Sequence, residues 1–550
     1  MIRFQAVMPQ AIMKWLGICV AGFALLFLPA SFAVGAGVTA EQWGLFEVAR
    51  AGPTNGNPFL DVQLSARFSL DETNIDVNGF YDGGGMYRVR FMPEKQGRWH
   101  YVMHSNVREL NDQTGEFTVT PPSTRNHGPV RVHHTYHFAY ADGTPFRPIG
   151  TTCYNWHHMA DALEEETLAS LAASPFNKIR MCIFPKHQAQ NTNELSLYPF
   201  EGTPPKAWDY TRFDPKFFQH LERRVGDLRD RGIEADLILF DPYDKGRWGF
   251  DRMPRDVDDR HVRYIVSRLA AYRNVWWSLS NEYDFNKQKT EADWDRMFQV
   301  LQAADPYVHL RSIHNGFYIY NYTKPWVTHA SIQNGSAVED AGRAELYRDV
   351  YRKPIVYDEV KYEGNIARRW GQLSGEEMVF RFWEGTVAGT YVTHGETFTN
   401  PDHISWTSEG GRLHGQSPSR LAFLGKVLAE SPAEGIDPID KWQDTNMGGQ
   451  LGEYYLLYFG KQTPASWPFE LYKDRIKDGM RFKVDVLDTW DMTITPVEGE
   501  FVTKKKDSYH FVDEKGRVVV LPGKPYMAVR IRHIPDPKTA PPPADTTPPE

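Results

Sequence analysis

From residue 130 to 432 the chain repeats one pattern, an apolar strand-like run followed by a helical stretch, and no other feature constrains the fold as much. The strand-like runs are 146–154, 178–184, 235–240, 275–280, 308–313, 327–332, 355–357 and 389–393. Helical patterns at 164–173, 216–231, 256–272, 291–304 and 375–387 stand between most of them. Near-continuous apolar strands separated by helices imply parallel pairing buried on both faces, because each crossover lays a helix on the sheet. Eight such units in about 300 residues have the size of a (β/α)8 TIM barrel. A doubly wound open sheet uses the same alternation, but its Gly-rich dinucleotide turn is absent.

The flanks read differently. Residues 38–122 carry short alternating strands, such as 59–64, 86–91 and 116–119, with turn chemistry at Asn78-Gly79 and Asp82-Gly83-Gly84-Gly85. This predicts an N-terminal β-sandwich that ends at Pro121-Pro122. Strands return within 434–534, at 454–459, 480–486, 492–495, 518–521 and 528–531, and predict a C-terminal β-sandwich beyond a hinge near Pro432. Residues 535–550 are rich in Pro, Thr and Asp, too poor in apolar side chains to fold, and read as a disordered tail. The expectation is a multidomain chain, a central barrel (130–432) flanked by two β-sandwiches. Its 550 residues exceed what one core organises.

At the N-terminus, Arg3 and Lys14 precede an apolar run from Trp15 to Ala30, and small residues follow at Ala33, Gly35 and Ala36. That order of charge, apolar run and small exit reads as a secretory signal peptide over 1–33, cleaved after Ser31-Phe32-Ala33 or Gly35. An uncleaved anchor is the rival, because the run approaches bilayer-spanning length. The expected location is therefore the periplasm or the medium, with no stable membrane insertion once the signal is removed. Cys19 lies within the leader and matches a lipoprotein cleavage site only imperfectly. Cys153 and Cys182 sit in apolar runs and are read as buried free thiols, a bridge between them requiring neighbouring strands. A net charge of −8 speaks against nucleic acid or an anionic membrane as partner. The short basic run Lys504-Lys505-Lys506 reads as a solvated loop. Aromatic residues make up 14% of the chain, and such rings pack on sugar faces as well as in cores.

Catalytic groups of a barrel stand at the C-terminal ends of its strands. Strand four ends in Asn281-Glu282-Tyr283-Asp284 and strand seven in Asp358-Glu359-Val360, so two glutamates reach one mouth from opposite sides. Cleavage of a glycosidic bond needs such a pair. One carboxyl protonates the departing oxygen, while the other attacks the anomeric carbon or activates water. Ionised Glu359 is expected to raise the pKa of Glu282 by repulsion and keep it protonated. A carboxyl separation of about 5–5.5 Å would mark retention, and about 6.5–9.5 Å inversion.

Asn281-Glu282 on strand four with Glu359 on strand seven resembles the pattern of glycoside hydrolase clan A, the retaining (β/α)8 glycosidases. The resemblance covers the barrel, a little over half the chain. It implies that Glu282 is the acid/base, Glu359 the nucleophile, Asn281 a ligand of the sugar 2-hydroxyl and Arg180 a support of the nucleophile. Within the clan, the flanking β-domains and the strand-eight segment Thr390-Tyr391-Val392-Thr393-His394-Gly395-Glu396 are similar to apiosidase-like and related bacterial proteins, with a lean toward a furanose or branched pentose. The strand-eight Trp of many clan members is absent. Strand six ends in Ile332-Gln333-Asn334 rather than in a Tyr or His, so His314 or Tyr318, after strand five, is the candidate neighbour of the nucleophile.

Further substrate contacts are expected from Trp156 and His157 at the end of strand one, from Asp241 and Tyr243 after strand three, and from His394 on strand eight. His157 and His158, adjacent on an extended strand, would point apart and could not chelate together. With no His-Glu-x-x-His, Cys-x-x-Cys or Gly-x-Ser-x-Gly motif, neither a metal nor an organic cofactor is expected. The leading reading is a retaining O-glycoside hydrolase with a carbohydrate substrate. A catalytically silent carbohydrate-binding protein and a transglycosylase are the alternatives.

Overall fold

The computed structural model describes residues 38–187, 194–333, 341–399, 404–439 and 446–535. The expected signal peptide, the tail beyond Pro535 and Asn334 lie outside them. The segment Met1–Val38 forms a unit of its own, of which only exposed Val38 is described, and everything that follows belongs to the second unit.

Eight parallel strands form the barrel: β1 (Gly150–Thr152), β2 (Lys178–Cys182), β3 (Glu234–Phe240), β4 (Val275–Ser280), β5 (Arg311–Ser312), β6 (Ala330–Gln333), β7 (Ile355–Glu359) and β8 (Tyr391–His394). They pair in the order β5-β4-β3-β2-β1-β8-β7-β6, and a parallel bridge between His314 and Ser331 joins the two ends into a ring. Helices α1 (Asp161–Ala172), α2 (Pro215–Asp230), α3 (Arg255–Leu269), α4 (Glu291–Ala304), α5 (Ala341–Tyr351), α6 (Gly375–Val387) and α7 (Ser417–Ala429) follow the strands, except that β5 passes to β6 without one. Local sequence explains them. Thr290 and Asp293 form a reciprocal capping box before α4, whose Trp294, Met297, Phe298 and Leu301 recur at helical spacing and are buried. Asp214 caps α2, and Pro215 opens it.

Several strands are shorter than the apolar runs. In the run 146–154, Pro145–Phe146 belongs instead to a three-stranded sheet with Val130–His133 and His137–Tyr140. There Val130, Phe138 and Phe146 pack on Trp276, Leu310 and Val356, closing the N-terminal end of the barrel. The run 308–313 loses its start because Val308 turns the chain with φ 56° and is 58% exposed.

The barrel interior is not apolar throughout. Lys178 Nζ bridges Asp236 at 2.7 Å and Asp358 at 2.8 Å, and all three side chains are shut off from solvent. Asp358 also accepts from Ser331 and Thr393. This ionic layer lies directly beneath the strand-seven glutamate. Removing the shared cation would leave two buried carboxylates facing each other, so Lys178→Met is expected to cost about 3–5 kcal/mol. Chemical denaturation checks this, and an unchanged midpoint would contradict it.

The N-terminal β domain sets a five-stranded sheet against a three-stranded one, with Phe68 stacked on Phe91 at 4.1 Å and Phe46 on Phe117 at 3.7 Å. The predicted strand 59–64 is instead a helical turn, Pro58–Asp61, because Asn57 caps it and Pro58 cannot donate to a ladder; the strand starts at Leu64. Buried ion pairs from Arg90 to Glu222 (2.7 Å) and from Arg268 to Asp82 (2.6 Å) tie this domain to α2 and α3. The C-terminal β domain is antiparallel and packs on α6, where Trp383 meets Tyr458 with ring centres 5.5 Å apart. Lys504 and Lys505 close its strand Phe501–Lys505 rather than lying in a loop, and both are exposed. Cys153 and Cys182 are free and buried. Among the described residues no helix is long and apolar enough to cross a membrane.

Candidate active site

Glu282 and Glu359 stand at the ends of β4 and β7 and line one cleft of about 360 Å3. Their surroundings differ in sign. Glu282 leaves β4 in a left-handed conformation, φ 40° and ψ 51°, a strained geometry held by its neighbours. Gln333 Nε2 donates to its Oε1 at 2.9 Å. A register shift between Ser331 and Gln333 sets Gln333 beside Glu359 on the neighbouring strand, from where its amide reaches Glu282. Burial, and then repulsion from Glu359, push the Glu282 carboxyl up to about 7, against the pull of Lys186 and Gln333.

Burial also pushes Glu359 upward, but the hydrogen bond and charge of His314, with Arg180 and Lys186, outweigh it and hold this carboxyl well below the usual range. Tyr154 Oη donates to Glu359 Oε1, and the same oxygen lies 3.5 Å from both His314 Nε2 and Arg180 Nη1. Burial, then the charge of Glu359, raise the Tyr154 phenol far above its normal value, so it remains a donor. His314 Nε2 is also 3.1 Å from Gln333 Oε1. Gln333 and His314 thus link the two carboxyls across the mouth. One cleft therefore presents a carboxyl biased to keep its proton opposite one biased to lose it.

The expected supports assemble around this pair. Arg180 Nη2 donates to Asn281 Oδ1 at 2.6 Å, and Asn281 Nδ2 donates to Tyr243 Oη at 3.2 Å. Tyr243 lines the cleft. Asp241 stands behind it, its Oδ1 accepting the Tyr243 backbone N–H at 2.9 Å. Of the two candidates after β5, His314 takes the place beside Glu359, whereas Tyr318 is 64% exposed.

Of the five further substrate contacts expected, only Tyr243 lines the cleft: Asp241 is buried behind it, and three others lie elsewhere. Trp156 and His157 lie in a 3-10 turn, Trp156–His158, rather than on an extended strand, and both are buried away from the cleft. The same turn brings the His157 and His158 rings to 3.9 Å instead of pointing them apart. His394 is fully buried outside the barrel wall, stacked on Phe176 at 4.7 Å, with Nδ1 3.1 Å from Thr151 Oγ1. In their place the cleft is lined by Tyr154, Lys186, Gln333 and Tyr362. Lys186 is 95% buried, with Nζ 3.4 Å from the ring centre of Tyr154 and 3.8 Å from that of Tyr243. Sequence spacing gives a signal for Tyr154, two residues beyond the inward-facing Thr152 of β1. None exists for Lys186, which comes from a loop.

Among the described residues, two trios of side chains have ligand atoms close enough to share a cation, Asp161/Glu164/His220 and Glu363/His394/Glu396. In the first, Glu164 is already paired with Arg224 at 2.6 Å. In the second, the carboxylates accept backbone N–H groups of residues 414–417 at the start of α7. Neither trio lines the cleft.

The family model for an apiosidase-like catalytic domain matches residues 133–445. Two models of domains of unknown function, DUF5060 and DUF5605, match 39–106 and 442–532. No curated protein matches the chain. Among solved structures, a proposed glycoside hydrolase from Bacteroides vulgatus ATCC 8482 is 42% identical, with TM-score 0.87, over 90% of this chain and 100% of its own. A family 5 glycoside hydrolase from the same organism is 15% identical with TM-score 0.56, over 74% of this chain and 94% of its own, and shares the fold.

Proposed function

The chain belongs to the apiosidase-like family of glycoside hydrolases, and from that premise we propose that it is a retaining O-glycoside hydrolase acting on a polysaccharide or its oligosaccharides. The observation that carries this reading is the opposed bias of Glu282 and Glu359 in one cleft. Glu359, ionised and held by Tyr154, Arg180 and His314, attacks the anomeric carbon while Glu282 gives its proton to the departing oxygen. The C–O bond to the leaving group breaks as an ester to Glu359 forms. That ester has lost the charge that raised the pKa of Glu282, so Glu282 now takes a proton from water. The water attacks the same carbon and releases Glu359 as carboxylate. Asn281, fixed between Arg180 and Tyr243, offers its amide to a sugar hydroxyl beside the reacting carbon. Export by the N-terminal leader belongs to the same proposal. A fusion of residues 1–36 to alkaline phosphatase that stays inactive inside the cell would contradict it.

Hydrolysis of a panel of aryl pyranosides and furanosides, followed by polysaccharide fractions, tests the activity and names the sugar. Release of no sugar from any of them would contradict it. The pH dependence is fixed in sign. The acid must be protonated, so kcat/KM is expected to fall as pH rises through about 7, the value to which Glu282 is pushed. Lys186 lowers that value, so Lys186→Met is expected to move the alkaline limb to higher pH. A limb that stays in place in the variant would remove Lys186 from the electrostatics of the acid.

A further inference from the structure

Just beyond Glu282 the surface carries three large aromatic rings that the fold does not use as core: Phe285 is 44% exposed, Phe317 74% and Tyr318 64%. They are held firmly. Asp284, two residues after Glu282, accepts the backbone N–H groups of Gly316, Phe317 and Tyr318 at 2.6, 2.7 and 2.8 Å. Phe285 packs so closely on Gly316 that a Cβ there would lie 2.6 Å from its ring. The Tyr283 N–H donates to the His314 carbonyl at 3.0 Å, and Asn315 exchanges hydrogen bonds with the backbone of Gln333. The loop that presents the rings is thereby anchored to the residues that hold both glutamates. Phe317 and Tyr318 meet edge to face, with centroids 5.0 Å apart, so they offer two differently oriented faces.

Large exposed rings cost solubility, and a loop pinned to display them points to a ligand. The geometry points to Phe285, Phe317 and Tyr318 as a leaving-side subsite, which stacks the apolar C–H face of a sugar on the departing side of the bond. This rests on the proposed role of Glu282. The group that Glu282 protonates leaves toward Glu282, and the platform grows from that residue's own loop and the adjoining one. None of the three rings belongs to the lining of the cleft, so the sugar whose bond is cut sits in the cleft and the next one on the platform. The substrate class is thus a glycan with a pyranose ring on its leaving side, rather than a glycoside of a small alcohol.

The test uses E359Q and E359Q/F317A/Y318A in affinity gels that contain xyloglucan, arabinoxylan, galactomannan or pectin. At least one polysaccharide is expected to retard E359Q, and the triple variant is expected to bind it about tenfold more weakly. Equal retardation of the two proteins, or none of E359Q by any of these glycans, would overturn the assignment. In parallel, F317A/Y318A is expected to keep the thermal midpoint and circular dichroism of wild type, because both rings are exposed and make no core contact. A lowered midpoint that accompanies the loss in glycan binding would show that the rings merely brace the catalytic loop. Failure of the glycosidase reading itself would appear separately, as wild-type protein that turns over no aryl glycoside, while the gels still report on the platform.

Discussion

Glu359→Ala is expected to lower turnover of an aryl glycoside by roughly 10^4-fold or more, because it removes the atom that forms the covalent bond. The neighbouring donors make the case specific. Tyr154, Arg180 and His314 all address Glu359 Oε1, and each would be left facing a void. Among the described residues the only other carboxylate that lines the cleft is Glu282, which stands at the end of another strand. A small anion admitted to the void should restore part of the rate. Azide is therefore expected to rescue Glu359→Ala and to yield a glycosyl azide of inverted configuration. Equal turnover by wild type and variant would remove Glu359 from the nucleophile's role. Circular dichroism on both proteins separates loss of chemistry from loss of fold.

Glu282→Ala should show a different signature, one that depends on the leaving group. General acid catalysis contributes about 10^2–10^4-fold where the departing oxygen needs a proton. Glycosides of alcohols and of phenol are thus expected to lose that factor. A 2,4-dinitrophenyl glycoside leaves as a stable anion and should be cleaved in the first step almost as before. The glycosyl ester should then persist, because the same residue is the base of the second step, and a burst of dinitrophenol followed by slow release would report this. The fall in kcat/KM above pH 7 should vanish with the side chain that titrates there. Uniform loss across all leaving groups would argue that Glu282 shapes the cleft rather than moving a proton.

Much of this can be read from the chain because barrels impose strong local rules. Parallel strands buried on both faces leave apolar runs, and catalytic groups stand at strand ends, so Glu282 and Glu359 follow from position, whereas Asn281 and Arg180 follow from the resemblance to clan A. What position does not give is the direction of side chains where the strand stops. Trp156 and His157 follow β1 but lie in a 3-10 turn, in which the alternation of a strand no longer holds. His394 departs from expectation for the opposite reason, since the alternation still holds there. Thr393 faces inward to Asp358, so the next residue must face out, and His394 packs on Phe176 behind the wall. Gln333 is an unpromising residue type for a place beside the nucleophile, yet a bulge at β6 makes it the bridge between Glu282 and His314. Lys186 is illegible in the sequence because its place between Tyr154 and Tyr243 depends on strands 30 and more residues away. The ionic layer beneath Glu359 is hidden by the hydrophobic pattern, which records that β2 is buried but not that Lys178 and Arg180 find carboxylates inside.

The measurement that bears most directly on the proposed mechanism is the anomeric configuration of the first-formed product, followed by proton NMR during hydrolysis of the best aryl glycoside. Double displacement through Glu359 inverts the carbon twice, so the initial product should carry the configuration of the substrate and mutarotate only afterwards. Initial release of the opposite anomer would mean that water attacks directly, with Glu359 as its base and no glycosyl ester on the path.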